Sequence, residues 1–284
     1  MATEAPEANI RHLALLTSYD GSLFHGWQYQ KNAVSVQEEL QSAWQKLTGE
    51  SLNFRGCSRT DTGVSARAHV CDFKTKSKIP EEKIPLALNT KLPPGLSALR
   101  CRPAPPGFHS RFSPIGKLYA YRFWTATSRP ALARQHLTHS PGYFDCGRSN
   151  AFASSLCGEH DFSAFMDQGS VVRKTIRRLD RLTFIQRGEL VTMLCLGDGF
   201  LYHQVRILAG TFLALAHDQL GEAEILEAMS RGDRTCLGAT APAEGLCLER
   251  VFFKNLLFSE DGEEDYQGFR SANAESILPL LYLV

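Results

Sequence analysis

The 284-residue sequence has no long hydrophobic run; the longest, residues 207–216, is interrupted by Gly210 and Thr211. A bilayer-spanning helix needs about 20 apolar residues, so no membrane span is expected. Net charge is almost lacking too, at +1 with histidine neutral, which taken whole gives little reason to expect a polyanion partner. Eight cysteines are present, but no two are spaced as C-x-x-C, and the His136/His139 pair has no Cys or carboxylate placed to complete a tetrahedron. No structural metal is expected, and the scattered cysteines read as reduced thiols of an intracellular protein. The Gly197-Asp198-Gly199 segment lacks the third glycine of a dinucleotide loop and follows a hairpin pattern, so no redox cofactor is expected either. The sequence contains one Asp-Thr-Gly, where aspartic protease chemistry needs two carboxylates sharing a proton. The first ten residues hold Glu4 and Glu7 and no Arg, unlike a mitochondrial presequence. Mitochondrion, nucleus and cytosol are not separated by this pattern.

What is present is ordinary globular material. Hydrophobic residues make up 43% and aromatics 10%, enough for a core and against wholesale disorder. The length suits one large or two modest domains. The neutral charge is also a sum of unlike parts. After Asn255 there are six acids and one base, which leaves residues 1–255 with 30 bases and 24 acids. A mildly basic body is compatible with a polyanion without requiring one.

The pattern along the chain alternates strands and helices. Residues 12–19 predict a strand ending at the Asp20-Gly21 turn. Ser35-Val36-Gln37-Glu38 reads as a capping box opening a helix, with Val36, Leu40, Trp44 and Leu47 on one stripe. Residues 53–57 and 68–73 predict strands flanking Ser58-Arg59-Thr60-Asp61-Thr62-Gly63, and 84–91 a helix with Pro85 in its first turn. Beyond the proline-rich 103–106 stretch, 118–124 alternates as a strand, 150–157 suggests a helix, and 175–186 with 190–196 a hairpin about Arg187-Gly188. Helices are expected over 201–217 and 222–230, and a last strand over 249–253. Hairpins mixed with helical connections favour an α+β fold with mixed sheets over a doubly wound one. The stretch from Glu260 reads as an acidic tail, either disordered or docked through the greasy 277–284 segment.

Several residues stand out chemically. Asp61 lies between two apolar strands, beside Arg59 and before Gly63; it is either a simple turn residue or a rigidly held, ionised carboxylate able to act as a nucleophile. Arg206 falls inside an apolar helix, where it either pairs with a carboxylate or snorkels to the edge. Tyr119 and Tyr121 share a strand face and either stack on bases or belong to the core. Residues 172–187 carry Arg173, Lys174, Arg177, Arg178, Arg181 and Arg187 against Asp180 alone. Strand alternation would put Arg173, Thr175, Arg177, Leu179 and Arg181 on one side, as a phosphate-binding stripe or as a solvated face.

Eight short pieces appear together in one order: Tyr19-Asp20-Gly21-Ser22 with Gly26-Trp27-Gln28; Ser35-Val36-Gln37-Glu38; Ser58-Arg59-Thr60-Asp61-Thr62-Gly63-Val64; Phe108-His109-Ser110-Arg111-Phe112-Ser113; Tyr119-Ala120-Tyr121; Gly158-Glu159-His160-Asp161-Phe162 with Phe165; Phe200-Leu201-Tyr202-His203-Gln204-Val205-Arg206; and Ala243-Glu244-Gly245-Leu246. In this set, from about residue 13 to 253, the chain resembles the TruA-type tRNA pseudouridine synthases, in a pseudouridylate synthase-like branch.

The resemblance implies an isomerase that breaks the N1 glycosidic bond of a uridine, turns the base and rejoins it through C5, without cofactor or metal. It implies Asp61 as the catalytic aspartate, Tyr119 as the ring that packs on the target uracil and helps remove the C5 proton, and Arg206 as the aspartate's partner. Arg59 matches a residue that helps hold the flipped nucleotide, and Arg111, Arg173 and Arg177 are expected to join it in binding RNA, with tRNA foremost. Whether the aspartate attacks the ring, attacks the ribose or takes a ribose proton stays open. The implied fold is two ferredoxin-like halves, 8–112 and 113–255, joined around a basic cleft, followed by a tail over 256–284. Bacterial members pair as homodimers, a state this chain is compatible with. An RNA-binding chaperone that has kept the pocket without turnover is the alternative. Two departures are Thr62-Gly63-Val64-Ser65 where the family usually has Ala-Gly-Val-His, and Tyr202 where bacterial members have histidine.

Overall fold

In a computed structural model that describes residues 10–169, 172, 174–254, 257–258 and 266–271, the chain forms two compact α+β units divided between Ser113 and Pro114. Both have largely antiparallel sheets, as expected. Among the described residues, no helix is long and apolar enough to cross a membrane.

The first unit is built on β1 (Arg11–Tyr19). Helix α1 (Val36–Thr48) follows, with the Ser35 hydroxyl accepting from the Glu38 amide and Gly49 closing it in a left-handed conformation at φ 77°. Its buried stripe is Val36, Leu40, Ala43 and Trp44, with Leu47 left half-buried. The strand expected over 53–57 is only β2 (Arg55–Gly56), whereas that expected over 68–73 is the longer β3 (Ser65–Thr75). Helix α2 (Ile84–Asn89) is shorter than expected and is entered through a 3-10 turn at Glu81–Lys83, which Pro85 tolerates in the first turn. Strand β4 (Leu96–Pro103) completes the unit. β1 pairs antiparallel with both β3 and β4, and β2 pairs with β3. Trp44, Phe54 and Phe73 interlock beneath this sheet, with ring centroids 4.7 to 6.4 Å apart.

The second unit begins with β5 (Pro114–Trp124) and a short parallel partner, β6 (Thr138–His139). Helix α3 (Cys146–Ser155) starts four residues earlier than expected because the Asp145 side chain caps it, accepting from the Arg148 amide at 2.9 Å. Strand β7 (Gly158–Asp161) lies on β8 (Ile176–Arg187), which forms the expected hairpin with β9 (Leu190–Gly197). Helix α4 (Gln204–Ala216) begins three residues late, since His203 stands at φ 61° and cannot belong to a right-handed helix. Helix α5 (Glu222–Arg231) and β10 (Leu246–Phe253) follow; β10 and β9 flank β5, both antiparallel.

One face of β5 carries Tyr121 and Phe123 into a row of rings, Phe123–Phe144–Phe184–Phe212, with centroids 4.7 to 5.5 Å apart. Each such side chain contributes on the order of 1.5 to 3 kcal/mol on burial. The opposite face is covered as well. Within the stretch read as a tail, α6 (Tyr266–Ser271) packs Tyr266 and Phe269 with Leu118, Leu194, Leu196 and Phe252. Gly116 makes this possible, since a Cβ there would sit 2.1 Å from the Tyr266 ring. Docking is thus through Tyr266 and Phe269; the 277–284 segment first considered for it lies outside the described residues.

The basic stripe expected along β8 does not form. A bulge between Leu179 and Arg181 shifts the alternation, so that Leu179, Leu182 and Phe184 are buried while Arg177 and Arg181 leave on different phases. Arg173 lies outside the described residues.

Candidate active site

In the first unit, the segment carrying Asp61 is a loop fastened on several sides. The Asp61 carbonyl accepts from the Val64 amide at 3.1 Å, with Gly63 at φ 84°, the positive φ that a type II turn requires at its third residue. Asp61 is thus a turn residue, but the turn is held far more firmly than a simple connection. The Tyr19 hydroxyl and Thr60 Oγ1 are 2.8 Å apart, the Trp27 amide donates to the Thr60 carbonyl at 3.2 Å, and the Gly21 amide donates to Ser65 Oγ at 2.9 Å. His69 Nε2 lies 2.9 Å from the Ser58 carbonyl, and its ring stacks on Trp27 with centroids 3.8 Å apart.

Two glycines let other backbone come this close. A Cβ at Gly26 would lie 2.4 Å from the Thr60 carbonyl oxygen and 3.2 Å from Asp61 C, and one at Gly21 would lie 2.2 Å from Val64 C. The result alternates along the loop: Arg59 is exposed, Thr60 buried and Asp61 half-buried. The anchored turn fixes the backbone that carries the half-buried Asp61 carboxylate, and a fixed origin is what a nucleophile or base needs.

Arg111 follows an anchored residue. The Ser110 amide donates to Asp72 Oδ1 at 3.0 Å and its hydroxyl donates to the Arg55 carbonyl at 2.6 Å. His12 Nε2 and the Arg55 guanidinium both bind the fully buried Asp72 Oδ2. Burial alone would raise the Asp72 pKa, yet the bonds from His12, Ser110 and Arg55 outweigh it and hold the carboxyl below its usual range. Arg111 itself is exposed, its guanidinium 5.5 Å over the Phe112 ring.

In the second unit, Tyr119 and Arg177 lie beside the segment at Gly199 and Phe200, and Arg206 follows in the first turn of α4. Tyr119 is buried and meets Phe200 edge-on at 5.2 Å. A Cβ at Gly199 would lie 3.9 Å from Arg177 Nε, and the Arg177 guanidinium otherwise donates to the Lys174 and Ile176 carbonyls at 3.0 and 2.7 Å. Tyr121 is pure core, its hydroxyl donating to the Pro242 carbonyl at 2.7 Å. Arg206 is half-buried; its Nε donates to the Ala241 carbonyl at 2.8 Å, and the Ala241 amide returns a bond to the Arg206 carbonyl at 3.1 Å.

The 234–241 loop that clamps Arg206 was not foreseen. It lies flat on α4 because Gly210 and Gly238 meet there: a Cβ at Gly210 would sit 1.8 Å from the Ala239 oxygen, and one at Gly238 would sit 2.4 Å from the Gly210 oxygen. The available signal was a glycine inside an apolar helix, which marks a close backbone approach. Asp167 was also missed. It binds His203 Nδ1 at 2.8 Å, Arg234 Nε at 2.9 Å and Thr240 Oγ1 at 2.8 Å, bonds that more than offset its burial and lower its pKa. A cavity of about 290 Å³ beside Leu86, Leu99 and Arg100 contains none of these groups.

The profile of a family described as tRNA pseudouridine synthase matches residues 15–113 and 152–254. The tRNA pseudouridine synthase A of Clostridium acetobutylicum is 38% identical over 244 residues, spanning 86% of this chain and all of the relative. That of Thermoanaerobacter sp. strain X514 is 39% identical over the same shares, and the tRNA pseudouridine synthase A 2 of Clostridium perfringens is 34% identical.

Proposed function

The chain belongs to the tRNA pseudouridine synthase family, and from that premise we propose that it isomerises uridines of tRNA to pseudouridine, with Asp61 as its catalytic carboxylate. The observation that carries the assignment is the anchored loop: Asp61 sits half-buried on a turn pinned by Tyr19, Trp27 and the backbone contacts of Gly21 and Gly26. In the reaction the N1–C1′ bond breaks, the uracil rotates, C5 bonds to C1′, and the C5 proton leaves as N1 gains one. The sum is an isomerisation with no change of oxidation state.

Residues 8–112 supply the carboxylate and 113–255 the other reacting groups. Tyr119 is the ring that packs on the target uracil, and Arg206 is the cation that the family's reaction pairs with its aspartate. Arg59, Arg111, Arg173 and Arg177 hold the nucleotide and its phosphates. The target base must leave its stack, at a cost of a few kcal/mol that is least in loops and stem ends. An RNA substrate also implies a protein at work inside the cell.

The test is Asp61→Asn with 5-tritiated uridine in tRNA. Tritium release should vanish while tRNA binding persists, and an active variant overturns the assignment. An RNA chaperone without turnover predicts no release from the wild-type chain; the presence of Asp61, Tyr119 and Arg206 together speaks against it.

A further inference from the structure

Tyr202 is 45% exposed, although its neighbours Leu201 and Gln204 are buried. Its ring lies on that of His203, with centroids 3.8 Å apart and planes 25° from parallel. His203 is fixed from two directions. Its Nδ1 is 2.8 Å from Asp167 Oδ2, and its backbone stands in the left-handed region at φ 61°, which a non-glycine residue adopts only when its surroundings impose it. Asp167 is fixed in turn by Arg234 and Thr240, at 2.9 and 2.8 Å. Tyr202 is thus the open step of an aromatic pair whose lower ring cannot swing away.

The placement of this pair is informative. Phe200, two residues earlier, touches Tyr119, and Gly199 runs beside Arg177, whose Nε would lie 3.9 Å from a Cβ added there. Arg206 follows in the first turn of α4. A single segment of eight residues therefore touches a proposed uracil-packing ring, runs beside a proposed phosphate-binding arginine, carries a proposed catalytic cation, and leaves one large aromatic in the open. A lone exposed aromatic needs no explanation. One held on an immobilised ring differs, because landing a ligand on it orders little that is not already ordered.

We propose that the Tyr202–His203 pair is a platform for an unpaired nucleobase of the RNA, one that neighbours the target uridine. The inference rests on the RNA-modifying reading for the identity of the ligand. The chemistry of the site is that of a π face, so any base is accepted and single-stranded nucleotides are preferred over paired ones.

The test uses the full chain, fluorescein-labelled tRNA transcript and fluorescence anisotropy, with pseudouridine formation followed in parallel. Tyr202→Ala should bind roughly tenfold more weakly, within the range produced by losing one base–aromatic stack. Its KM should rise by a similar factor while kcat at saturating tRNA is kept. Tyr202→Phe and Tyr202→Trp should behave like the wild type, since they keep the face and lose only the hydroxyl. Wild-type binding by Tyr202→Ala, a Phe variant as weak as the Ala variant, or a fall in kcat at unchanged KM would each overturn the platform. Failure of the catalytic assignment appears elsewhere, as turnover by Asp61→Asn, and leaves the Tyr202 binding comparison intact.

Discussion

Arg206 and Ala241 exchange two hydrogen bonds, side chain to carbonyl at 2.8 Å and amide to carbonyl at 3.1 Å. Only the first of these involves the side chain. Arg206→Leu should therefore keep the backbone half of the clamp and lose the Nε bond to the Ala241 carbonyl, a cost of about 1 kcal/mol for that bond. That corresponds to a fall of roughly 2 to 4 °C in Tm for a chain of this size. Pseudouridine formation should fall on the order of 100-fold, the effect of removing an electrostatic group that acts on the reacting atoms. Thermal melts beside a tritium-release assay check both; near-normal turnover would return Arg206 to the role of a snorkelling side chain.

Gly26→Ala should damage the Asp61 loop. The new methyl would meet the Thr60 carbonyl oxygen at 2.4 Å, on a residue held at φ 81°. Gly49 supplies the control, since it has a similar φ of 77° and nothing within 4 Å of an added Cβ. Gly49→Ala should cost about 1 kcal/mol, the left-handed penalty alone, and leave turnover unchanged. Gly26→Ala should cost about 2 kcal/mol or more as the loop shifts, and turnover should fall at least tenfold because misplacement of a reacting group is severely penalised. Urea titrations and single-turnover assays of the two variants, compared with wild type, provide the measurement.

The Arg122–Glu249 pair is buried, with side chains 5% and 0% exposed and Nη2 to Oε1 at 2.6 Å. It links the central strand β5 to β10. Removing one partner strands the other charge, so Glu249→Leu and Arg122→Met should each destabilise the fold by roughly 3 to 5 kcal/mol. The double variant should recover most of that loss, since an apolar pair of similar volume needs no solvation. A double-mutant cycle by denaturant unfolding reads the coupling directly.

Acid stability should depend on Asp72. Its pKa is lowered in the folded state, where bonds from His12, Ser110 and Arg55 outweigh the effect of burial. A depressed carboxyl pKa contributes stability above the unfolded value, about 3.9, and that contribution is lost as pH falls through the folded value. Asp72→Asn should therefore be less stable than the wild type at pH 7, and the gap should narrow once pH drops below about 4. Unfolding free energies from pH 7 down to 3 for both proteins measure it; a gap independent of pH would exclude ionisation of Asp72 as its source.

Much of this was legible in the sequence because it is local. Ser35 at a helix start, Gly63 at a turn and the Arg187-Gly188 hairpin act through neighbours a few residues away, and the structure has all three. What escaped is set by partners distant in the chain. The bulge at Asp180 that breaks the arginine stripe is held by Tyr266 and Arg270, more than 80 residues on. The left-handed His203 that delays α4 depends on Asp167, and the Arg206 clamp depends on two glycines meeting across α4. Periodicity carries no trace of any of these. The roles proposed for Asp61, Tyr119 and Arg206 rest on motif order, since each residue also has a local structural explanation.

The docking of α6 alters the electrostatics of β8. The carboxylate of Asp180, 1% exposed, faces Arg178 and Arg270, and Arg181 donates to the Phe269 carbonyl at 3.2 Å. Arg178 is thus neutralised by Asp180 of its own strand, and Arg181 is occupied by α6, before any RNA arrives. Counterion release on binding scales with the phosphates actually met, so a plot of log affinity against log salt should be shallower than the number of basic residues in 172–187 would suggest.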